Sequence, residues 1–176
     1  MKGQLTIQYL ASFIFFIGLI IYVYFSYSAN IPRFVEEVEK EDVRSKAYQL
    51  SEILVNDLGE PIDWNNAPSI DSIKRIGFSD HNSNKTNLIL RSKIDKFEEL
   101  FDCDTRFEEV QDRLALEKPF SIHVFNVSDN GVRTLVLECV SPMFPTTMIN
   151  ATIKRVTAIE DMIEGDTELA ELIVQM

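Results

Sequence analysis

Between Lys2 and Arg33 the chain carries no charged side chain. Across residues 9–27 nearly every position is Ile, Leu, Phe, Val or Tyr, interrupted only by Ala11, Ser12, Gly18 and Ser26. At about 1.5 Å per residue this stretch makes a helix roughly 28 Å long, the thickness of a bilayer's hydrocarbon core. Leu, Ile, Phe and Val occupy eleven of its positions, which favours insertion by roughly 3–7 kcal/mol. The stretch reads as a membrane helix, and the rest of the chain is read relative to it.

Setting that segment aside leaves about 145 of the 176 residues, enough for one domain with its own core and too few for two. The net charge is −11, with most acidic residues beyond position 35. An acidic exterior speaks against nucleic acid and against adhesion to anionic lipid. Topology is ambiguous from charge alone. One Lys and the amino terminus precede the helix, whereas Arg33, Lys40, Arg44 and Lys46 follow it, interleaved with Glu36, Glu37, Glu39, Glu41 and Asp42. Two cysteines, Cys103 and Cys139, are either a disulfide of an exported domain or two buried thiols. No ligand spacing for a metal is present.

The region after the membrane helix divides by pattern. Pro32 predicts a kink or short break, giving a membrane helix over residues 4–30 and an amphipathic helix over 31–58. Val43, Ala47, Leu50, Leu54 and Leu58 make one apolar stripe. Gly59 is placed to end the helix and Pro61 to forbid its continuation. Trp64, the only tryptophan, reads as a core anchor at the end of that stripe. Residues 65–87 are rich in Asn, Ser, Asp and Gly and read as a surface loop, with Ile76-Gly77-Phe78 its one apolar island and His81 solvated. Ser92 and Thr105 read as N-caps of two short helices, lined by Ile94, Phe97, Leu100 and Phe101, and by Phe107, Val110 and Leu114.

From Pro119 the texture is that of strands. Residues 120–127 and 132–140 alternate around the turn Ser128-Asp129-Asn130-Gly131. Arg133, Leu135, Leu137 and Cys139 are expected on one face, and His123 as a half-buried sheet residue. Residues 147–159 and 168–176 add two more strands. The predicted fold class is α+β: a long N-terminal helix, then a head over residues 59–176 closed by a four-stranded antiparallel sheet.

The first residues carry a resemblance. Lys2-Gly3-Gln4-Leu5-Thr6-Ile7-Gln8-Tyr9-Leu10 resembles the class III signal peptide of archaeal type IV pilin-like proteins. In that family a short basic leader ends in Gly, a membrane-bound prepilin peptidase cuts after it on the cytoplasmic side, and the apolar helix is retained. The resemblance implies a leader of residues 1–3, cleavage between Gly3 and Gln4, and Gln4 as the new amino terminus. Thr6 stands where the family usually has Ser. Gln8 stands where it most often has Glu, whose carboxylate is thought to neutralise a neighbouring subunit's amino terminus in an apolar bundle. Gln keeps the hydrogen bonding and loses the charge, which implies a minor or accessory subunit. The Gly-x-Pro-x-x-Trp turn, the Ile-Gly-Phe and the Asn-Leu-x-Leu at residues 87–90 also recur in this order in such proteins. The resemblance thus implies a pilin-like fold, a single-pass membrane form with the head outside, and a surface filament. Its implied partners are the lipid bilayer, a prepilin peptidase, like subunits and an assembly platform.

No nucleophile elbow, phosphate loop or dinucleotide-binding glycine pattern is present, and neither histidine has a triad context, so no enzyme, cofactor or metal is expected. Asn84, Asn126 and Asn150 open N-x-Ser/Thr sequons, more than the composition gives by chance and in keeping with an exported, glycosylated domain. Two other readings remain open: a permanently anchored binding or sensor domain using the 65–90 loop, and a secreted protein cut near Ser28.

Overall fold

The computed structural model describes residues 2–80, 86–144, 151–161 and 167–176. The chain divides into two compact units, Met1–Glu41 and Asp42–Met176. Helix α1, Lys2–Asn56, contributes to both. It runs through Pro32 without the expected break. It stops two residues short of the expected end, so Leu58 lies outside the helix.

The first unit is α1 alone. Every residue from 7 to 41 is exposed, large apolar and aromatic side chains included. The second unit has a core. Val43, Ala47, Leu50 and Leu54 are buried at the spacing the sequence predicts, with Val55 added. Helices α2 (Arg91–Leu100) and α3 (Phe107–Arg113) bury Ile94 and Phe97, and Phe107 and Val110. Neither begins at the expected cap. Leu90 and Arg106 hold the N-cap positions without a capping side chain, and the Thr105 hydroxyl donates instead to Asp102 at 2.8 Å.

The sheet has five strands rather than four, in the order β1-β4-β5-β2-β3. The four expected strands are β2 (Ser121–Val127), β3 (Arg133–Val140), β4 (Thr152–Glu160) and β5 (Thr167–Gln175). They pair antiparallel. The addition is β1, Leu88–Leu90, which pairs parallel with β4, so the sheet is mixed. Three residues carry no legible alternation, and all of β1 is buried.

Two further expectations are corrected. The face of β3 breaks: Leu137 and Cys139 are buried whereas Arg133 and Leu135 are exposed. A register shift between Val124 and Phe125 leaves Val136 unpaired, so Leu135 meets Phe125 and Leu137 meets Val124. One extra residue in a strand turns the rest to the other face. The supposed surface loop after Trp64 is anchored in the core at intervals, since Ala67, Ile70, Ile73, Ile76 and Phe78 are buried between exposed residues. Asn66, Asp71 and Ser72 lie exposed on two 3-10 turns, Trp64–Asn66 and Ile70–Ser72.

Candidate functional site

Two features stand out: the exposed apolar part of α1, and a tightly closed node in the head. The first is the candidate functional site. Leu10, Phe15, Ile20 and Phe25 are each at least half exposed. Apolar side chains on every side of a helix are stable in lipid or against other apolar helices, not in water. α1 is long and apolar enough to cross a membrane. Gly3, Gln4 and Thr6 lie in its first turns. Gln8 is exposed one turn further on.

The node explains three of the motifs. Gly59 has φ +78°, and a Cβ there would meet the Trp64 ring at 2.5 Å, so only glycine lets the indole close over the turn. The Trp64 Nε1 donates to the Gly77 carbonyl at 2.8 Å. A Cβ on Gly77 would collide with the Asp57 carbonyl. Phe78 meets Trp64 with ring centres 6.3 Å apart, its amide donates to Leu54 O at 2.9 Å, and its carbonyl accepts from Leu90 N at 2.8 Å. The Gly-x-Pro-x-x-Trp turn, the Ile-Gly-Phe and the Asn-Leu-x-Leu segment thus close one junction between the end of α1 and β1. Trp64 is the core anchor expected of it.

Sequence reasoning missed Lys93 in this junction. The residue is only 2% exposed. Its Nζ donates to the carbonyls of Leu58 and Ser79, both at 2.7 Å. Burial pushes the ammonium down to about 8, partly offset by Asp80, Asp57 and Asp63. Its signal was present in outline: Lys93 sits beside Ile94 and one turn before Phe97, on the face that packs.

Of the other candidate residues, Cys103 and Cys139 are joined in a disulfide with Cα atoms 5.3 Å apart, tying the α2–α3 connection to β3. Asn126 is half-buried in β2 and donates to Glu168 on β5, so its amide is engaged within the sheet. Asn84, Asn150 and His81 lie outside the described residues. His123 is half-buried, with Nδ1 3.7 Å from Glu138. Among the described residues, no group of three or more His, Cys, Asp or Glu is placed to hold a metal ion. Compared with known protein families, curated proteins and solved structures, the chain matches none of them.

Proposed function

We propose that the chain is a non-enzymatic structural subunit of an archaeal type IV pilus-like surface filament, processed by a prepilin peptidase between Gly3 and Gln4. One observation carries this reading. The part of α1 over residues 7–38 exposes its large apolar side chains on all sides, and it follows closely on Lys2-Gly3-Gln4 with no charge before Arg33. A helix of this kind rests in the membrane and can leave it only into a bundle of like helices, with the head outside as cover. The Cys103–Cys139 disulfide supports an outside head, because such bonds persist in oxidising compartments. That weighs on a topology the Lys and Arg tally leaves open.

Gln8 favours a second reading, a permanently anchored binding or sensor domain, because an amide cannot neutralise a neighbour's amino terminus. The mass of the mature amino terminus separates these. A chain beginning at Gln4 and recovered in sheared filaments supports the filament subunit. A chain beginning at Met1 and confined to membranes supports the anchor, and one beginning near Ala29 supports a secreted protein.

A further inference from the structure

Successive side chains of a strand point to opposite faces of its sheet. One face of this sheet enters the core, with Ile122, Val124, Leu137, Ala170, Leu172 and Val174 all buried. From that face Arg155 reaches Ser51 and Glu52 of α1. The other face is open. On it Val156 is 69% exposed, Leu169 53% and Leu135 48%.

Strand register sets the open face in rows. Val156, Glu171, Phe125 and Leu135 lie side by side across β4, β5, β2 and β3. Lys154, Ile173, His123 and Glu138 make the neighbouring row. Ala158 and Leu169 continue the pattern on the other side. The polar and ring contacts of the face stay within it: Arg133 pairs with Glu171 at 2.8 Å, and His123 stacks on Phe125 with ring centres 6.2 Å apart.

Charge on this face is unlike that of the chain. The net charge is −11, yet here two cations, Arg133 and Lys154, balance two carboxylates, Glu171 and Glu138. Lys154 and Glu138 stand at opposite ends of one row, three strand spacings or about 14 Å apart, too far to pair with each other. Among the described residues Lys154 has no ion partner, and Glu138 meets His123 at 3.7 Å.

A second copy laid face to face, turned half a turn about an axis running along the strands between β5 and β2, brings each row onto itself in reverse order. Lys154 of each copy then meets Glu138 of the other. Val156 meets Leu135 at both ends of its row, and Phe125 covers the neutralised Glu171. A half turn about the perpendicular direction satisfies Glu138 with Arg133 but sets Lys154 against Ala158.

We infer that the open face of the sheet is a contact surface for the head of a second copy, packed face to face with Lys154 of each on Glu138 of the other. An anionic lipid surface or a basic partner would meet only half of this charge pattern, whereas an identical face meets all of it. The patch measures roughly 300–400 Å², below the about 800 Å² per partner of a stable complex, so the contact is weak and forms where chains are concentrated. It goes beyond the proposed function, which buries α1 and leaves the head as cover, and it holds equally for an anchored chain.

A weak contact is read by trapping it. Full-length chains in detergent micelles, where no bilayer fixes their orientation, are oxidised to form disulfides. Cys103 and Cys139 are already joined, so one introduced cysteine per chain is the sole free thiol. Val156→Cys mixed with Leu135→Cys is expected to cross-link severalfold more than either chain alone, and more than either mixed with Asp71→Cys on an exposed 3-10 turn. Lys154→Glu in both chains should cut the yield severalfold, and Glu138→Lys added to both should restore it. Restoration shows that the loss is one of charge and not of folding, and Trp64 fluorescence checks the head in each variant. Equal yields in every mixture, no cross-link, preferential Val156→Cys pairing with itself, or failure of the double exchange to restore the yield would each overturn the inference.

Discussion

Lys93 shows how a single charge can be held inside the head. Its two carbonyl partners, Leu58 and Ser79, flank the junction between α1 and β1, and the ammonium satisfies both. Burial disfavours the charged form, so the folded value of about 8 lies below the ordinary 10.5. Between those values the unfolded chain binds the proton and the folded chain does not, so stability rises with pH there and is lost as pH falls through 8. Relative to Lys93→Met, which cannot titrate, the wild type is expected to gain roughly 2–3 kcal/mol between pH 7 and pH 10. Urea unfolding followed by Trp64 fluorescence reads the difference, and a flat difference would mean that the ammonium is not desolvated. Gly77 is the other sensitive position. Gly77→Ala drives a methyl group into the Asp57 carbonyl and is expected to destabilise the head by roughly 2–4 kcal/mol, since backbone rather than a side chain must move. The same unfolding experiment measures it, and a loss under about 0.5 kcal/mol, the size of an ordinary surface substitution, would show that the turn relaxes freely.

At the scale of elements, α1 does two jobs along its length. Leu54 is fully buried, and its carbonyl accepts from Phe78 N at 2.9 Å. Arg155 of β4 reaches the same stretch of helix, with Nε donating to Ser51 at 2.8 Å, an ion pair to Glu52, and its guanidinium over the Tyr48 ring at 4.8 Å. Leu54→Ala is expected to cost about 2–5 kcal/mol of head stability. Val38→Ala, at an exposed position, should leave it unchanged within about 0.5 kcal/mol. Thermal unfolding of the two variants gives the comparison, and equal losses would contradict the division. These contrasts also show what was legible in the sequence. The buried stripe from Val43 to Leu54 and the four long strands repeat a period several times, so pattern alone locates them. β1 is too short to show one. The fifth strand, the bulge at Val136 and the burial of Ile70 and Ile73 depend on partners distant in the chain. For Lys93 the helix pattern shows its place on the packing face but not its partners, because those carbonyls lie 35 and 14 residues away. For the candidate site the order reverses: the apolar stretch is plain in the sequence, and the structure adds that none of its described large side chains is buried within the chain.

At the scale of the whole molecule, the disulfide links the head's chemistry to its side of the membrane. Cys103 and Cys139 are 36 residues apart in sequence, and closing a loop of that size is worth about 3–4 kcal/mol through the entropy it removes from the unfolded chain. A reducing compartment would withhold that contribution. The Lys and Arg tally after the apolar stretch points weakly to the cytoplasm, whereas such bonds persist outside it, so the two indications can be set against each other in one measurement. Both cysteines are buried, Cys139 completely and Cys103 with 8% of its surface exposed, so accessibility labelling of the folded chain would be uninformative. Cells quenched in acid and then alkylated under denaturing conditions without reductant report the state directly. With the head outside, the intact mass should show no added alkyl group, and prior reduction should add two. Two added groups without reduction would place the head in the cytoplasm and remove the filament reading with it. If the bond is present, Cys103→Ser/Cys139→Ser should lose about 3–4 kcal/mol in urea unfolding; the junction around Trp64 and Lys93 is expected to stay assembled at low denaturant, because none of its contacts runs through the disulfide.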